Sequence, residues 1–185
     1  IFNMRGEKSG IIAPPYEGFA PGKMAVAEDG SFFVVDRNSL KISAFDKDGK
    51  YKYNFGDRNL FKSISGIAAK DGRIYISVMS NNPVVRVFDT KGNYLTGFGQ
   101  IGEGEHYFSM PSGIKVDDKG NIWVVDAFKH RVMGFDIEGK KQGEFGIFGD
   151  PKKDLYYPLG IDFRGDTFYV IEKGRGRISL LKRVD

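Results

Sequence analysis

Hydrophobic and aromatic residues in this chain occur in short runs of about four to six residues, separated by segments rich in Gly, Asp, Asn and Lys. Residues 32–36 and 122–126 are two such runs, and an Asp-Gly or Gly-Asn pair stands just before each of them. Runs of this length between turn residues are typical of antiparallel strands joined by hairpins. No segment shows a convincing helical period, so the pattern predicts an all-β chain.

The runs recur at a fixed interval along the chain. Gly66, Gly113 and Gly160 hold the same position in three successive units and lie 47 residues apart. Each unit of roughly 45 residues contains four predicted strands, named a to d in chain order. A single sheet of this kind cannot bury both of its faces, whereas sheets stacked around an axis can. The repeat therefore predicts a β-propeller with four recognisable four-stranded blades.

The chain is predicted to form one propeller domain that spans residues 1–185. Residues 1–6 resemble the end of a strand d, so we expect this segment to complete the fourth blade and close the ring, which would remove the exposed sheet edges. A six-bladed ring, of which these four blades are one part, is the alternative. The predicted blades cover approximately residues 21–56, 64–99, 111–146 and 158–182.

Composition excludes several kinds of site. The chain has no Cys, which excludes disulfides and thiolate metal centres, and it has two His, which is too few for a His-rich metal centre. The formal net charge is +4, so an anionic partner is allowed but not required. No apolar run reaches the ~18 residues of a membrane span. Residue 1 is Ile and not Met, and removal of a secretory signal is one ordinary cause of such a start.

The third unit carries the most distinctive residues, with Pro-Ser-Gly-Ile at 111–114, Trp-Val-Val-Asp at 123–126 and His-Arg-Val at 130–132. With these residues the repeat resembles the NHL-repeat β-propeller family, over about residues 21–182. The resemblance implies a propeller that usually has six blades. Members of that family include RNA-binding modules, protein-interaction modules, an amidating lyase and exported bacterial proteins, so the fold does not choose a function. By resemblance to the exported members, we expect an extracytoplasmic protein, either periplasmic or secreted.

Three units share an acidic residue at the end of strand b and a basic residue five positions later, at the start of strand c. A hairpin would bring the two side chains together across the b–c loop, so we interpret the pattern as a repeated ion pair that braces the loop. A charged rim presented to a ligand is the alternative interpretation. The pairs are Asp36 and Lys41, Asp126 and Arg131, and Glu172 and Arg177.

The d–a loops at 100–110 and 147–157 stand out because both are long and contain several aromatic residues. Long loops on a rigid scaffold commonly carry recognition, and aromatic and Arg side chains make good interface anchors. The basic b–c loops are expected on the same face. We therefore predict a non-catalytic binding or scaffold module that recognises another protein through this face. The predicted interface residues are His106, Tyr107, Phe128, Lys129, Arg131, Tyr156 and Arg175.

Two other functions remain as alternatives. A calcium-dependent propeller hydrolase or lyase would need oxygen ligands in the central channel. A single-stranded RNA-binding module would need a more positive surface, with stacking aromatics, than a net charge of +4 suggests. No Gly-x-Ser-x-Gly element is present for a serine nucleophile, and we predict no catalytic residue, no metal site and no cofactor. The acidic residues near strand a, which could bind calcium but are more simply turn residues, are Asp29, Asp117, Asp118 and Asp162.

Overall fold

A computed structural model of the protein describes residues 4–7, 10–104, 107–150 and 153–182. Within these ranges all regular structure is β, in four antiparallel meander sheets that follow one another along the chain. The first sheet contains β1 (Pro21–Val26), β2 (Phe32–Asp36), β3 (Ile42–Phe45) and β4 (Tyr51–Phe55). The second contains β5 (Ile64–Lys70), β6 (Arg73–Val78), β7 (Val85–Asp89) and β8 (Tyr94–Phe98).

The third sheet contains β9 (Pro111–Val116), β10 (Ile122–Asp126), β11 (Arg131–Phe135) and β12 (Lys141–Phe145). The fourth contains β13 (Pro158–Arg164), β14 (Thr167–Glu172) and β15 (Arg177–Lys182). In each sheet the strands lie in sequence order, and β1, β5, β9 and β13 contact one another in succession. This radial succession of meander sheets confirms the predicted all-β propeller with four blades. No helix long and apolar enough to cross a membrane occurs in the described ranges.

The core lies between successive blades. Side chains alternate along each strand, so one face of a sheet packs on the preceding blade and the other face on the following blade. Trp123 and Val125 of the third blade pack in this way against Phe168 of the fourth, and the rings of Trp123 and Phe168 lie 4.9 Å apart, edge to face. Burial of both faces accounts for the high content of branched and aromatic residues in strands b and c.

Glycine in the turns between strands c and d lets neighbouring blades approach closely. Gly139 has a φ of +84°, in the left-handed region that favours glycine. A Cβ atom at this position would also lie 2.5 Å from Cβ of Phe98, at the end of strand d of the preceding blade. Gly92 has the same relation to Phe55. The Gly turn and the Phe-Gly end of strand d, which recur together in the sequence, are thus two sides of one contact between blades.

The two ends of the blade succession differ. Residues 10–20 pack on the first sheet, where Ile12 and Phe19 line an apolar groove with Phe45. On the fourth sheet, Ile171 and Leu180 are 53% and 63% exposed. The strand predicted from residues 1–6 lies in part outside the described residues, because residues 1–3 are not among them, and residues 4–6 form a turn and a bend. That the N-terminal segment completes the fourth blade, and the extent of the single domain, therefore stay predictions.

Candidate functional site

The b–c loops and the d–a loops meet at one edge of the sheets, which we call the loop face. Backbone hydrogen bonds join the two kinds of loop: the N–H of Ala127 donates to the carbonyl of Met110 at 2.9 Å, and the N–H of Lys173 donates to the carbonyl of Tyr157 at 3.0 Å. In the first blade the N–H of Arg37 donates to the carbonyl of Ala20 at 2.9 Å. The loop face is therefore a hydrogen-bonded surface rather than a set of independent loops.

A buried carboxylate at the end of strand b fastens each d–a loop in three of the blades. Asp126 accepts hydrogen bonds from the backbone N–H groups of Ser109 at 2.7 Å and Met110 at 3.0 Å. Glu172 accepts from the N–H of Tyr156 at 2.6 Å, and Asp36 from the N–H of Ala20 at 3.2 Å. Capture of backbone N–H groups satisfies loop donors that would otherwise be left without a partner beside the core.

The electrostatics of Glu172 follow from these contacts. Burial works to raise the pKa of its carboxyl, but the hydrogen bonds from Ser179, Arg177 and Tyr156 outweigh it and hold the pKa below its ordinary value. Oε1 of Glu172 lies 2.7 Å from Nε of Arg177, so the acid–base pair predicted across the b–c loop forms here.

The other two predicted pairs bind differently. Oδ2 of Asp36 accepts the hydroxyls of Tyr16 and Ser39, at 2.9 and 2.6 Å. Arg131 forms an ion pair with Glu144, with 3.3 Å between NH1 and Oε2, while Asp126 binds backbone amides. The interpretation of a repeated ion pair thus holds for the fourth blade, whereas in the first and third blades amide and hydroxyl capture takes its place.

The second blade has Val78 where the others have the acid, and two other side chains of this blade, Asn82 and Arg86, bind the d–a loops on either side of it. Oδ1 of Asn82 accepts the N–H of Ile101 at 2.9 Å. The buried guanidinium of Arg86 donates to the carbonyls of Pro83 and Asn82, each at 3.2 Å, and also to that of Leu60. Burial lowers the pKa of Arg86. Sequence reasoning missed this arrangement, because Arg86 lies within a strand and has no charged partner in the pattern.

Three aromatic rings stack on the loop face where the third and fourth blades meet, and we call them the aromatic platform: His130, Phe148 and Tyr156. The ring centroids of His130 and Phe148 lie 4.6 Å apart, and those of His130 and Tyr156 lie 5.2 Å apart. Phe148 is 61% exposed and Tyr156 is 40% exposed, so the stack presents apolar surface to solvent. The guanidinium of Arg175 covers the Tyr156 ring, 5.6 Å from its centroid.

A second aromatic contact adjoins this platform. Phe128, which is 57% exposed, packs edge to face on Tyr157 with 5.6 Å between ring centroids. The ammonium of Lys173 lies 5.8 Å from the centroid of the Tyr157 ring. Aromatic rings and Arg side chains are common hot-spot residues of protein interfaces, and exposed rings beside cations form a surface of this kind.

The structure places the predicted interface residues in two groups. Phe128, Tyr156 and Arg175 lie together at the junction of the third and fourth blades. Lys129 acts as a loop brace, because its Nζ donates to the carbonyl of Tyr107 at 2.7 Å and to that of Gly104. The Tyr107 side chain is 40% exposed. Arg131 is tied to Glu144, as described above, and His106 lies outside the described residues.

Two members of the platform, His130 and Phe148, were absent from the predicted set. His130 belongs to the His-Arg-Val motif, and Phe148 lies in the aromatic d–a loop, so both had a visible signal. Their stacking depends on a backbone φ of +55° at His130, which turns the imidazole towards the next d–a loop. Nothing in the residue pattern predicts that φ.

The acidic residues considered for calcium make other contacts. Asp118 forms an ion pair with Lys70 at 3.1 Å, and Asp162 forms one with Lys115 at 3.0 Å. Oδ2 of Asp117 accepts the indole N–H of Trp123 at 2.8 Å. No group of three or more His, Cys, Asp or Glu side chains that could hold a metal ion is present in the described ranges.

Comparison with known proteins identifies the family. The model of a family described as 6-bladed beta-propeller matches residues 54–146, which is about half of the chain. The chain belongs to this family. This family match and the two curated relatives described next confirm the predicted NHL-type β-propeller.

Two curated proteins are related to this chain in sequence. Protein brain tumor from Drosophila melanogaster is 28% identical over 132 residues, which are 68% of this chain and 12% of that protein. B-box type zinc finger protein ncl-1 from Caenorhabditis elegans is 28% identical over 125 residues, which are 64% of this chain and 14% of that protein. The chain thus spans about an eighth of the length of these relatives. Both are intracellular proteins, so the extracytoplasmic location predicted from the sequence is wrong.

Among solved structures, virginiamycin B lyase from Staphylococcus aureus is similar to this chain with a TM-score of 0.63 and 16% identity. The similarity covers 98% of this chain and 61% of the lyase. At this identity the similarity shows a shared propeller fold and does not indicate a shared activity. The two curated relatives are non-enzymatic.

Proposed function

We propose that this chain is a non-catalytic binding module that recognises another protein through its loop face. The observation that carries the proposal is the aromatic platform, since it exposes apolar rings on loops that are fastened by buried carboxylates. Ordering a flexible loop on association costs free energy, and a surface that is already ordered avoids that cost. Phe128 extends the apolar surface beside the platform, and Arg175 supplies a planar cation.

The role of the acidic groups on this face supports binding over catalysis. Asp126 and Glu172 are both buried and engaged with backbone amides, which fixes the loops. His130 accepts a hydrogen bond at Nδ1 and packs on both Phe148 and Tyr156, which positions it as a structural ring of the platform. These titratable groups therefore serve loop geometry in this proposal, and no residue is assigned a catalytic role.

Single-stranded RNA is a second candidate, because exposed aromatic rings also stack on nucleobases. The cation beside the platform favours protein over RNA. Arg175 is ion-paired with both Asp154 and Glu172, so little of its charge is left to attract a phosphate backbone. A test of the proposal must therefore offer both kinds of ligand.

The test compares the double variant Phe128→Ala/Tyr156→Ala with a control, Leu95→Ala, which shortens an exposed side chain on an outer strand d. Immobilised wild-type chain and both variants would be exposed to extract from the source cells, and the captured proteins would be quantified by mass spectrometry and the captured RNA by sequencing. We expect a stoichiometric protein partner that is lost with the platform variant and retained with Leu95→Ala. Partner capture that is unchanged by the platform variant would refute the proposal. Capture of RNA through the same rings would favour the second candidate.

A further inference from the structure

The cations of the loop face differ in their partners. Around the third and fourth blades the arginines are ion-paired, Arg131 with Glu144 and Arg175 with Asp154 and Glu172, whereas Lys129 binds backbone carbonyls and Lys173 lies over the Tyr157 ring. Around the first and second blades, four cations make no ion pair with any described residue. These four are Lys23, Arg37, Arg58 and Lys62, which are all exposed.

The four cations surround a cavity of about 410 Å³ between the first and second blades. Lys23 comes from β1, Arg37 from the b–c loop of the first blade, and Arg58 and Lys62 from the d–a loop that leads into the second blade. Aliphatic side chains also line the cavity, among them Leu40 and Ile64. We call this cavity with its four cations the basic pocket.

Local structure positions two of these cations, Arg58 and Arg37, without an ion pair to any described residue. Nε of Arg58 donates to the carbonyl of Asn38 at 3.0 Å, which fixes the guanidinium across the two loops. The side chain of Arg37 lies over Gly22, where a Cβ atom would come within 2.7 Å of Cγ of Arg37. Asp57 begins the same loop as Arg58, but its carboxylate accepts the N–H groups of Asn59 and Leu60, at 2.8 and 2.9 Å, and so stabilises the loop.

We propose that the basic pocket binds an acidic segment of the partner protein, in which carboxylates alternate with aliphatic side chains. The carboxylates would meet the Arg and Lys head groups, for which the planar guanidinium fork is well matched. The aliphatic side chains would meet Leu40 and Ile64. An acidic peptide fits better than a nucleic acid, because none of the described residues that line the pocket has an aromatic side chain to stack on a base. The inference rests on the proposed protein-binding function and adds a second contact point, separate from the aromatic platform.

The experiment measures binding of a fluorescein-labelled peptide of alternating Glu and Leu by fluorescence anisotropy. A matching peptide of alternating Gln and Leu, and a labelled oligouridylate, serve as comparison ligands. The pocket variant is Arg37→Gln/Lys62→Gln. The matched control is Lys91→Gln/Lys140→Gln, which removes the same charge from two exposed lysines in c–d turns at the opposite edge of the sheets.

We expect the Glu-Leu peptide to bind the pocket variant at least about tenfold more weakly than the wild type, and to bind the control variant within about twofold of it. The Gln-Leu peptide should not bind. Equal weakening in both variants would show that the peptide responds to the net charge of the protein and not to the pocket, and would overturn the inference. Failure of the Glu-Leu peptide to bind the wild type, or tighter binding of oligouridylate through the same residues, would also overturn it.

The partner-capture experiment separates this inference from the proposed function. If the pocket variant captures the partner as the wild type does, while the platform variant does not, the inference fails and the proposed function stands. If the platform variant captures the partner normally but the pocket variant loses the Glu-Leu peptide, the platform proposal fails and the basic pocket stands.

Discussion

The backbone N–H of Tyr157 donates a hydrogen bond of 2.9 Å to Nδ1 of His130. This bond joins the b–c loop of the third blade to the d–a loop that enters the fourth, and both residues have a positive φ, of 53° and 55°. An imidazole that accepts at Nδ1 carries its proton on Nε2 and is neutral. The rings of Phe148 and Tyr156 pack on the same imidazole, so the neutral form of His130 holds the platform together.

Stability should therefore fall as the pH falls below the ordinary pKa of His. Burial lowers the pKa of His130 from 6.5, the nearby Arg175 lowers it further, and Asp126 partly opposes them. Since the unfolded chain takes up a proton at a higher pH than the folded chain, the contribution of His130 is complete above about 6.5 and is lost as the pH falls through the lowered value. Urea-unfolding free energies measured on both sides of that pH should show the loss.

The variant His130→Asn is the control for this measurement. Asn tolerates a positive φ, and its side-chain oxygen can accept the N–H of Tyr157, but it does not titrate. The variant should lose less stability than the wild type over the same pH interval, and the other histidine contributes equally to both. Equal losses in the two proteins would show that His130 is not the titrating group.

The fold was predictable from the sequence to a much greater degree than the site. Strand runs and turn residues are local signals, because alternation and turn chemistry act over a few residues, and the repeat of Gly66, Gly113 and Gly160 is visible when the units are compared directly. The contact of His130 with Tyr157 spans 27 positions and depends on two left-handed backbone conformations. Asp126 was visible as an acid at the end of a strand. Its capture of backbone amides was not, since that depends on which loop reaches it in the folded chain.

Replacement of Gly139 by Ala should destabilise the protein by roughly 3 kcal/mol. The change forces a Cβ into the left-handed region and into contact with Phe98 of the preceding blade, and each effect costs about 1–2 kcal/mol. Gly120 is the matched control, because its φ is +81° but nothing lies within 4 Å of the position of a Cβ. Gly120→Ala should therefore cost only the backbone term, about 1 kcal/mol. Urea unfolding of both variants measures the difference, and equal costs would show that the preceding blade accommodates the added Cβ at Gly139 without a steric penalty.

The single tryptophan reports on a buried polar contact. The indole N–H of Trp123 donates to Asp117 at 2.8 Å, and this bond helps to lower the pKa of Asp117 against the opposing effect of burial. Asp117→Ala should remove this acceptor, together with the turn hydrogen bonds from the N–H groups of Lys119 and Asn121, and cost at least about 2 kcal/mol. The tryptophan emission maximum of the folded protein should shift. Asp29→Ala, which removes a turn carboxylate of the first blade that binds only Ser31 in the described structure, should leave the emission unchanged. A shift in both variants would indicate general loosening instead of loss of this bond.

Glu172 should matter more to stability than an exposed ion pair does. Glu172→Gln removes the charge that binds Arg177 and Arg175 and weakens the hydrogen bond from the N–H of Tyr156, so we expect a loss of about 3 kcal/mol. Asp162→Asn breaks the exposed pair with Lys115 and should cost at most about 0.5 kcal/mol. Both free energies of unfolding can be measured with urea at neutral pH.

The acid dependence of the same variants tests the cause. Because the folded-state pKa of Glu172 lies below its ordinary value of 4.5, the stability that this carboxylate contributes is present above that pH and is lost as the pH falls through the lowered value. Glu172→Gln cannot titrate at this position, so its stability should decline less steeply with acid than that of the wild type. If the two proteins decline in parallel, the stabilisation by this side chain comes from its packing and not from its charge.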